Sequence, residues 1–224
     1  MDVFEAIESR KSIRAFTDQP VEKELLGRLL QISQRSPSGT NTQPWYVYLC
    51  TGDVKQAITD DVLKMAAEGE SKKYEDYDYY PPVWRDVHQA RRRAVGWGLY
   101  GLLGIKKGDR EGSARQGARN FKFFDAPVGL FVTVDSYVTR GSWADTGMYI
   151  QTIMLAARGL GLHTCPQAAW IPLQEPVFKH LGIPDDQELV TGMSLGYADK
   201  DAIENTLVSE REDVSNVARF VGFG

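Results

Sequence analysis

Cysteine and histidine are scarce in this chain of 224 residues. The two cysteines, Cys50 and Cys165, lie far apart, each inside an apolar, strand-like run, which favours two buried free thiols over a disulfide framework. The three histidines, His88, His163 and His180, lack the spacing of metal ligands. His163 lies two residues from Cys165, which packing on a strand explains better than a thiolate pair. The sequence therefore predicts no metal centre and no cysteine nucleophile.

An excess of positive charge and long hydrophobic runs are also missing. The formal net charge is −4 and the sequence pI is about 5.5, so we expect no general nucleic-acid binding, which needs many cations to replace phosphate counterions. No run of about 18 apolar residues is present to cross a bilayer, and the N-terminal segment lacks the apolar core of a signal peptide. These absences predict a cytoplasmic protein without a membrane partner.

Two familiar catalytic motifs do not occur, namely G-x-S-x-G and G-x-x-x-x-G-K-[ST]. The segment 96–101, GWGLYG, formally satisfies G-x-G-x-x-G, but it follows three arginines, 91–93, and no strand precedes it. That context is wrong for a dinucleotide-binding fingerprint. We interpret the glycines as a site of close helix packing and the arginines as a solvated face.

What remains is the composition of an ordinary globular protein, with 42% apolar and 25% charged residues. The length fits one mixed α/β domain with a sizeable core, and no repeat or linker divides it. Hydrophobic periodicity predicts helices over 1–10, 21–32, 54–67, 84–105, 143–160 and 172–181, and strands over 45–51, 128–134, 162–165 and 189–197. Of these strands, 128–134 is apolar enough to lie at the centre of a sheet.

Two segments carry more apolar surface than the core of one chain can bury. The helix predicted over 143–160 carries apolar residues almost all round, so it has to be buried on more than one side. The tail 214–223 is amphipathic and needs a surface to dock on. Both features indicate contact with another subunit.

A polar stretch, SPSGTNTQPW, runs from Ser36 to Trp45 between a predicted helix and a predicted strand. Pro37 and Pro44 prevent a helix from continuing through it. The amides of Asn41 and Gln43 offer both donors and acceptors, as the edge of a heteroaromatic ring requires. A plain turn before a strand is the alternative, because these residue types also cluster in turns.

A basic stretch, ESRKSIRAF, lies near the start of the chain. It places Arg10, Lys11 and Arg14 close together, with the Ser12 hydroxyl among them. Guanidinium groups and hydroxyls suit a phosphate, since both donate hydrogen bonds to its oxygens. The alternative is a solvated charged face.

The two stretches together resemble the nitroreductase family of FMN-dependent oxidoreductases, whose members carry similar boxes in this order. The resemblance continues through Asp125-Ala126-Pro127, Gly159-Leu160-Gly161-Leu162 and Arg211. It implies an α+β fold in which helices flank a mostly antiparallel sheet, and an intertwined homodimer. It also implies one FMN-binding domain over 1–224, with a lid insertion around 68–125, tyrosine-rich over 68–80, and a C-terminal dimer-docking arm over 200–224.

The resemblance further implies which residues bind FMN. They are Arg10, Lys11, Ser12, Arg14, Pro37, Ser38, Gly39, Asn41, Gln43, Pro166, Gln167, Ala168, Ala169 and Arg211. Arg10, Ser12 and Arg211 match family positions that hold the phosphate. The family often has a second basic residue two positions before the last of these, where this chain has Ser209.

The remaining matches concern the flavin ring. Lys11 matches a position near the ribityl chain and the ring carbonyls, and Arg14 matches one beside N1 and O2. Asn41 and Gln43 match amides at the polar edge or the ribityl hydroxyls, while 37–39 would line the dimethylbenzene side from the partner chain. The backbone of 166–169 matches a turn that reaches N5.

The implied activity is reduction of nitroaromatic compounds to hydroxylamines, with NADPH or NADH as donor in a ping-pong cycle, and the nitrobenzoate reductases are the branch most resembled. Quinones are further candidate acceptors. Enone reduction, reductive dehalogenation, oxygen-dependent flavin cleavage and a non-catalytic flavin-binding dimer stay open as alternatives. No catalytic side chain is implied, since water can supply the protons. Aromatic candidates for the substrate pocket, each also a candidate for the core, are Tyr46, Trp84, Phe123, Phe124 and Trp143.

Overall fold

The computed structural model describes residues 1–70 and 79–223. The helices of this part are α1 (Val3–Ser9), α2 (Lys23–Ser33), α3 (Gly52–Ala67), α4 (Asp86–Leu102), α5 (Arg110–Ala118), α6 (Arg140–Gly159), α7 (Glu175–Leu181) and α8 (Val214–Val217). The strands are β1 (Trp45–Cys50), β2 (Val128–Asp135), β3 (His163–Gln167) and β4 (Gln187–Gly196). Short 3₁₀ turns cover Gly39–Asn41, Arg119–Asp125, Ala168–Leu173 and Ile203–Thr206.

The four strands form one antiparallel sheet in the order β1-β2-β4-β3. β2 lies at its centre and is buried over nearly all of its length, as its run of apolar residues predicts. Side chains alternate across it: Phe131 faces one side, while Leu130 and Val132 face the other. A register shift between Val132 and Thr133 interrupts the pairing of β2 with β4.

Helices cover both faces of the sheet. On one face, α2 and α6 contribute Leu29, Tyr149 and Ile153 to a core that includes Leu130 and Val132 of β2. On the other face, α3 and α7 contribute Ile58, Val62 and Val177 to a core around Phe123, Phe131 and Trp170. The α+β fold with an antiparallel sheet is therefore confirmed.

Two glycines let aromatic rings lie directly on the sheet. A methyl group at Gly129 would lie 2.4 Å from the Phe123 ring, and one at Gly192 would lie 2.3 Å from the Trp170 ring. The two rings pack against each other with centroids 4.6 Å apart. Because Phe123 belongs to the turn after α5, this packing fixes that turn against the sheet.

The predicted buried thiols are confirmed. Cys50 and Cys165 are free and buried. Burial raises the pKa of Cys50 to about 12 and that of Cys165 to about 11, so both thiols are protonated at neutral pH. Cys165 therefore offers no thiolate nucleophile.

The start of α7 differs from the sequence-based prediction. The helix predicted over 172–181 begins only at Glu175, because Pro172 lies in a separate 3₁₀ turn that buries Trp170 and Ile171. The close approach of two helices predicted at 96–101 stays a prediction. Within the chain, Gly98 of α4 makes room for the Leu207 side chain, 3.1 Å from where a methyl group would lie.

None of the helices in residues 1–70 and 79–223 is both long and apolar enough to cross a membrane. The tyrosine-rich segment of the predicted lid, 68–80, falls in large part on 71–78, outside the described residues.

Candidate functional site

The basic stretch leaves α1 and runs beside β3. Arg10 caps the end of α1, and its backbone N–H donates to the Ala6 carbonyl. Ser12 then pairs with Thr164 in a parallel bridge, and the Ile13 N–H donates to the Thr164 carbonyl at 3.1 Å. The N-terminal basic residues are thereby fixed to the edge of the sheet.

The C-terminal segment lies against the same stretch. Asn205, in the turn Ile203–Thr206, accepts a hydrogen bond from the Arg14 N–H at 2.8 Å through its side chain. Its backbone carbonyl accepts from Lys11 Nζ at 2.5 Å. The two ends of the chain are therefore joined at the basic stretch.

Two guanidinium groups from opposite ends of the chain lie close enough to repel. The pKa of Arg10 is lowered, first by burial and then by the positive charge of Arg211. Arg211 is held by its own loop, since Nη1 donates to the Ser209 hydroxyl at 2.7 Å and to the Ser209 and Glu210 carbonyls. Ser209 thus orients Arg211.

No carboxylate within residues 1–70 and 79–223 forms an ion pair with Arg10, Lys11, Arg14 or Arg211. Holding like charges together costs free energy, and an anion between them removes that cost. The Ser12 hydroxyl is a further hydrogen-bond donor in the same stretch as Arg10 and Arg14. Unpaired cations and a hydroxyl are the groups that donate hydrogen bonds to an anion such as a phosphate.

A neutral histidine lies beside this site. His163 has its pKa lowered to about 4, chiefly by burial and then by the charges of Arg158, Lys11 and Lys200. Arg158 Nη1 donates to His163 Nε2 at 2.8 Å, and Arg158 also donates to the Ser9 hydroxyl. Arg158, on α6, therefore ties the end of α1 to β3.

The polar stretch has a different character. Thr40, Asn41 and Gln43 have φ of 49°, 63° and 48°, in the left-handed region that non-glycine residues rarely occupy. Asn41 and Gln43 are exposed, and Ser38 is half-buried with its hydroxyl accepting the Gln43 N–H at 2.9 Å. Backbone strain of this kind persists only where surrounding contacts or a bound ligand hold the residues in that conformation.

The helix α6 separates the two stretches. The Gly39 N–H donates to Asp145 Oδ2 at 3.0 Å near the start of α6, whereas Ser9 accepts from Arg158 near its end. Arg158 follows Asp145 by thirteen positions along the helix, which is about 20 Å at 1.5 Å per residue. Within one chain, the two stretches are therefore docked at opposite ends of α6.

The segment 166–169 spans the end of β3 and the start of the 3₁₀ turn Ala168–Leu173, so its first two residues lie in the strand and not in the predicted turn. Pro166, Ala168 and Ala169 are half-buried, while Gln167 is buried and its side chain is engaged inside the protein. Its amide donates to the Asn120 carbonyl at 2.7 Å and its oxygen accepts from the Ser194 hydroxyl at 2.7 Å. The segment can therefore present main-chain groups to a ligand, but not the Gln167 side chain.

The aromatic candidates divide into two groups. Phe123 and Phe124 are buried core residues, at 0% and 2% exposure. Tyr46 is exposed and its hydroxyl donates to Asp135, whereas Trp84 and Trp143 are half-buried. Only these last three can line an open pocket.

Sequence reasoning missed three polar residues in and around the site. Asn205 joins the chain ends, Asp145 holds Gly39, and buried Glu204 pairs with Arg119. Each pairs with a partner more than 80 residues away, so no local motif indicates it. Phe123, Phe124 and Asp125 also have positive φ, and the Phe124 carbonyl accepts from the Phe16 N–H just after the basic stretch.

The fold, the basic stretch and the polar stretch together point to one class of protein. A family model described as the nitroreductase family matches residues 7–197, and the chain belongs to that family.

Individual relatives are similar over nearly their full length. The 4-nitrobenzoate reductase of Pseudomonas putida is 40% identical over 99% of this chain and 97% of its own length. The chloronitrobenzene nitroreductase of Comamonas testosteroni is 37% identical over 96% of this chain and 95% of its own length. The crystal structure of the FMN and NADPH-dependent nitroreductase NfnB from Sphigopyxis sp. strain HMH superposes with a TM-score of 0.96 at 38% identity, covering all of both chains.

Proposed function

We propose that this protein is an FMN-dependent, NAD(P)H-using oxidoreductase that reduces nitroaromatic compounds to hydroxylamines. The observation that carries the proposal is the like-charge repulsion between Arg10 and Arg211, neither of which forms an ion pair with a carboxylate among residues 1–70 and 79–223. The names of the relatives, which include two nitroarene reductases and an FMN and NADPH-dependent nitroreductase, support the same activity.

The residues present fit the phosphate of FMN. A phosphomonoester carries about −1.5 to −2 charges at neutral pH, so it relieves the repulsion between the two guanidinium groups. Arg10, Ser12 and Arg211 would hold it. The missing second basic residue is offset in part by Ser209, whose hydroxyl fixes the direction of Arg211.

The ring would lie beside the remaining cations and amides. Lys11 and Arg14 supply positive charge to its polar edge, which favours the reduced ring because that ring carries more negative charge there. Asn41 and Gln43 supply donors and acceptors, and the backbone of 166–169 approaches N5. Bound FMN would supply the centre that accepts and gives up hydride.

A homodimer would complete this site. The two stretches contact α6 at residues about 20 Å apart along the helix, so we infer that a ring touching both would meet the basic stretch of one subunit and the stretch 37–43 of the other. α1 and the tail expose apolar side chains that such a dimer would bury. They are Val3, Phe4, Ile7, Val214, Val217, Phe220, Val221 and Phe223.

The peripheral segments belong to the same proposal. We infer that 68–125 forms a lid on the single domain 1–224 and that 200–224 is an arm that docks on the partner. α4, within the lid, has no fully buried residue and exposes Val87, Val95 and Trp97, which supports a further contact there. The cytoplasmic location expected from the sequence stays a prediction.

The site offers no acid or base for the substrate. The side chains at the proposed ring edge are cations and amides, and the Cys165 thiol has a pKa of about 11. Protons would come from water, and we name no catalytic side chain. Substrate choice would therefore depend on the shape of the pocket and on residues such as Tyr46, Trp84 and Trp143.

An anaerobic two-step titration tests the proposal. Purified yellow protein is mixed with one equivalent of NADPH, or of NADH in a parallel run, and flavin absorbance is followed; 4-nitrobenzoate is then added. We expect bleaching followed by return of the oxidised spectrum. A flavin that stays oxidised with both donors would indicate a non-catalytic binding protein. Reoxidation only by a quinone, an enone or a halotyrosine would assign a different acceptor, and a protein that retains no FMN would refute the proposal.

A further inference from the structure

Asn205 is the most connected polar residue near the proposed site, and no motif of the sequence indicates it. It is 7% exposed and lies in the turn Ile203–Thr206. Its side-chain oxygen accepts from the Arg14 N–H at 2.8 Å, and its side-chain nitrogen donates to the Ala15 and Asp199 carbonyls, both at 2.8 Å. One amide thus satisfies three backbone groups from two distant segments.

These bonds have a consequence for Lys11. Because the amide fixes the backbone at 205, the Asn205 carbonyl is placed where it accepts from Lys11 Nζ at 2.5 Å. A lysine has four rotatable side-chain bonds and does not hold one position without such a partner. The same amide holds the main chain from which Arg14 projects.

We propose that Asn205 is a positioning residue that sets the reduction potential of the flavin by fixing Lys11 and Arg14 at its polar edge. The inference rests on the proposed function, which places these two cations beside the ring. Cations held in place stabilise developing negative charge more than mobile ones do, since no reorganisation is needed when the charge appears. Asn205 touches neither flavin nor substrate in this account.

The substitution Asn205→Ala tests the proposal. It removes all three side-chain bonds and lets Lys11 move, so reduced FMN should lose about tenfold more affinity than oxidised FMN, which is about 30 mV for a two-electron couple. The midpoint potential of the bound flavin, measured by dye equilibration, should fall by that amount. Asn205→Asp keeps the oxygen that accepts from the Arg14 N–H, but it replaces the donor nitrogen with an oxygen that faces the Ala15 and Asp199 carbonyls. We expect a similar fall in the midpoint potential.

The neighbouring Glu204→Gln is the matched control. Glu204 lies in the same turn and is equally buried, but its partner is Arg119 rather than Lys11 or Arg14. The control should lower the melting temperature of the apoprotein while leaving the flavin potential unchanged. If both variants lower the melting temperature and neither moves the potential, Asn205 is merely structural and the inference is wrong.

A double variant that combines Asn205→Ala with Lys11→Gln tests whether Asn205 changes the flavin potential through Lys11. If Asn205 acts through Lys11, the potential shift caused by Asn205→Ala should shrink by at least half when Lys11 is already glutamine. A shift of undiminished size in the Lys11→Gln background would contradict that route. Absence of bound FMN from the parent protein would refute the proposed function itself, which keeps the two failures distinct.

Discussion

The basic stretch and the polar stretch differ in how completely one chain determines them. Arg10, Lys11 and Arg14 are half-buried and fixed to β3 and to the turn at 203–206. Asn41 and Gln43 are exposed and sit in left-handed backbone conformations. The first stretch is held by contacts within one chain, whereas the second is an exposed and strained surface. In the dimer proposed above, a ligand and the other subunit would complete this second surface.

The largest effect is expected where the phosphate would bind. Arg211→Ala removes a charge-assisted hydrogen bond, so the Kd for FMN should rise about 100-fold. Arg211 is exposed, so the melting temperature of the apoprotein should hardly change. Fluorescence titration with FMN measures the first quantity and a thermal scan measures the second.

Arg115→Ala is the control for this experiment. Arg115 is also exposed, and its ion pair is a helical one with Glu111. If the Arg211 variant and the control bind FMN with equal affinity, the assignment of Arg211 to the FMN phosphate is wrong.

The next effect tests how strongly the turn Ile203–Thr206 is anchored to the turn Arg119–Asp125. Glu204→Gln breaks the nearly buried pair with Arg119, and we expect a loss of about 2 kcal/mol in the free energy of unfolding. Urea denaturation of the apoprotein provides the value. A loss no larger than that of an exposed pair, such as Lys179 with Asp61, would show that this anchor contributes little.

Acid should weaken the region around His163. The folded pKa of His163 is about 4, below the ordinary 6.5, so the unfolded chain binds the proton first as pH falls. Stability present above pH 6.5 is therefore lost as pH falls from 6.5 toward 4, by about 1 kcal/mol at pH 5.5. Denaturation at pH 8 and pH 5.5 measures the loss. His163→Asn should reduce it, and an equal loss in that variant would assign the effect to other groups.

The smallest effect is expected in the polar stretch. Asp145→Asn weakens the bond to the Gly39 N–H, which is exposed, so stability should fall by about 0.5 kcal/mol or less. A fall as large as that for Glu204→Gln would mean that both stretches are fixed equally within one chain.

The sequence predicts features that depend on neighbouring residues better than features that depend on distant contacts. The helices, the strands and the central place of β2 follow from hydrophobic periodicity, because a residue's face depends on its near neighbours. The break between Pro172 and Glu175 was missed because burial of Trp170 under the sheet decides it. Periodicity does not report such a long-range contact.

The site was predicted only in part, for a related reason. Arg10 to Arg14 and Asn41 to Gln43 are visible as local clusters, and the family resemblance places them. Asn205, Asp145 and Glu204 bond residues that are far away in the sequence, so only the folded chain identifies them. Polar residues that support a site from a distance leave no local pattern.

The central claim is that each flavin site combines the basic stretch of one subunit with the polar stretch of the other. Two differently tagged chains, one carrying Arg10→Ala and Arg211→Ala and the other Asn41→Ala and Gln43→Ala, are co-expressed and the heterodimer is purified. One of its two sites then has both stretches intact, so it should bind about one FMN per dimer, while either variant homodimer binds almost none. A heterodimer as empty as the homodimers, or a protein that stays monomeric, would contradict the account.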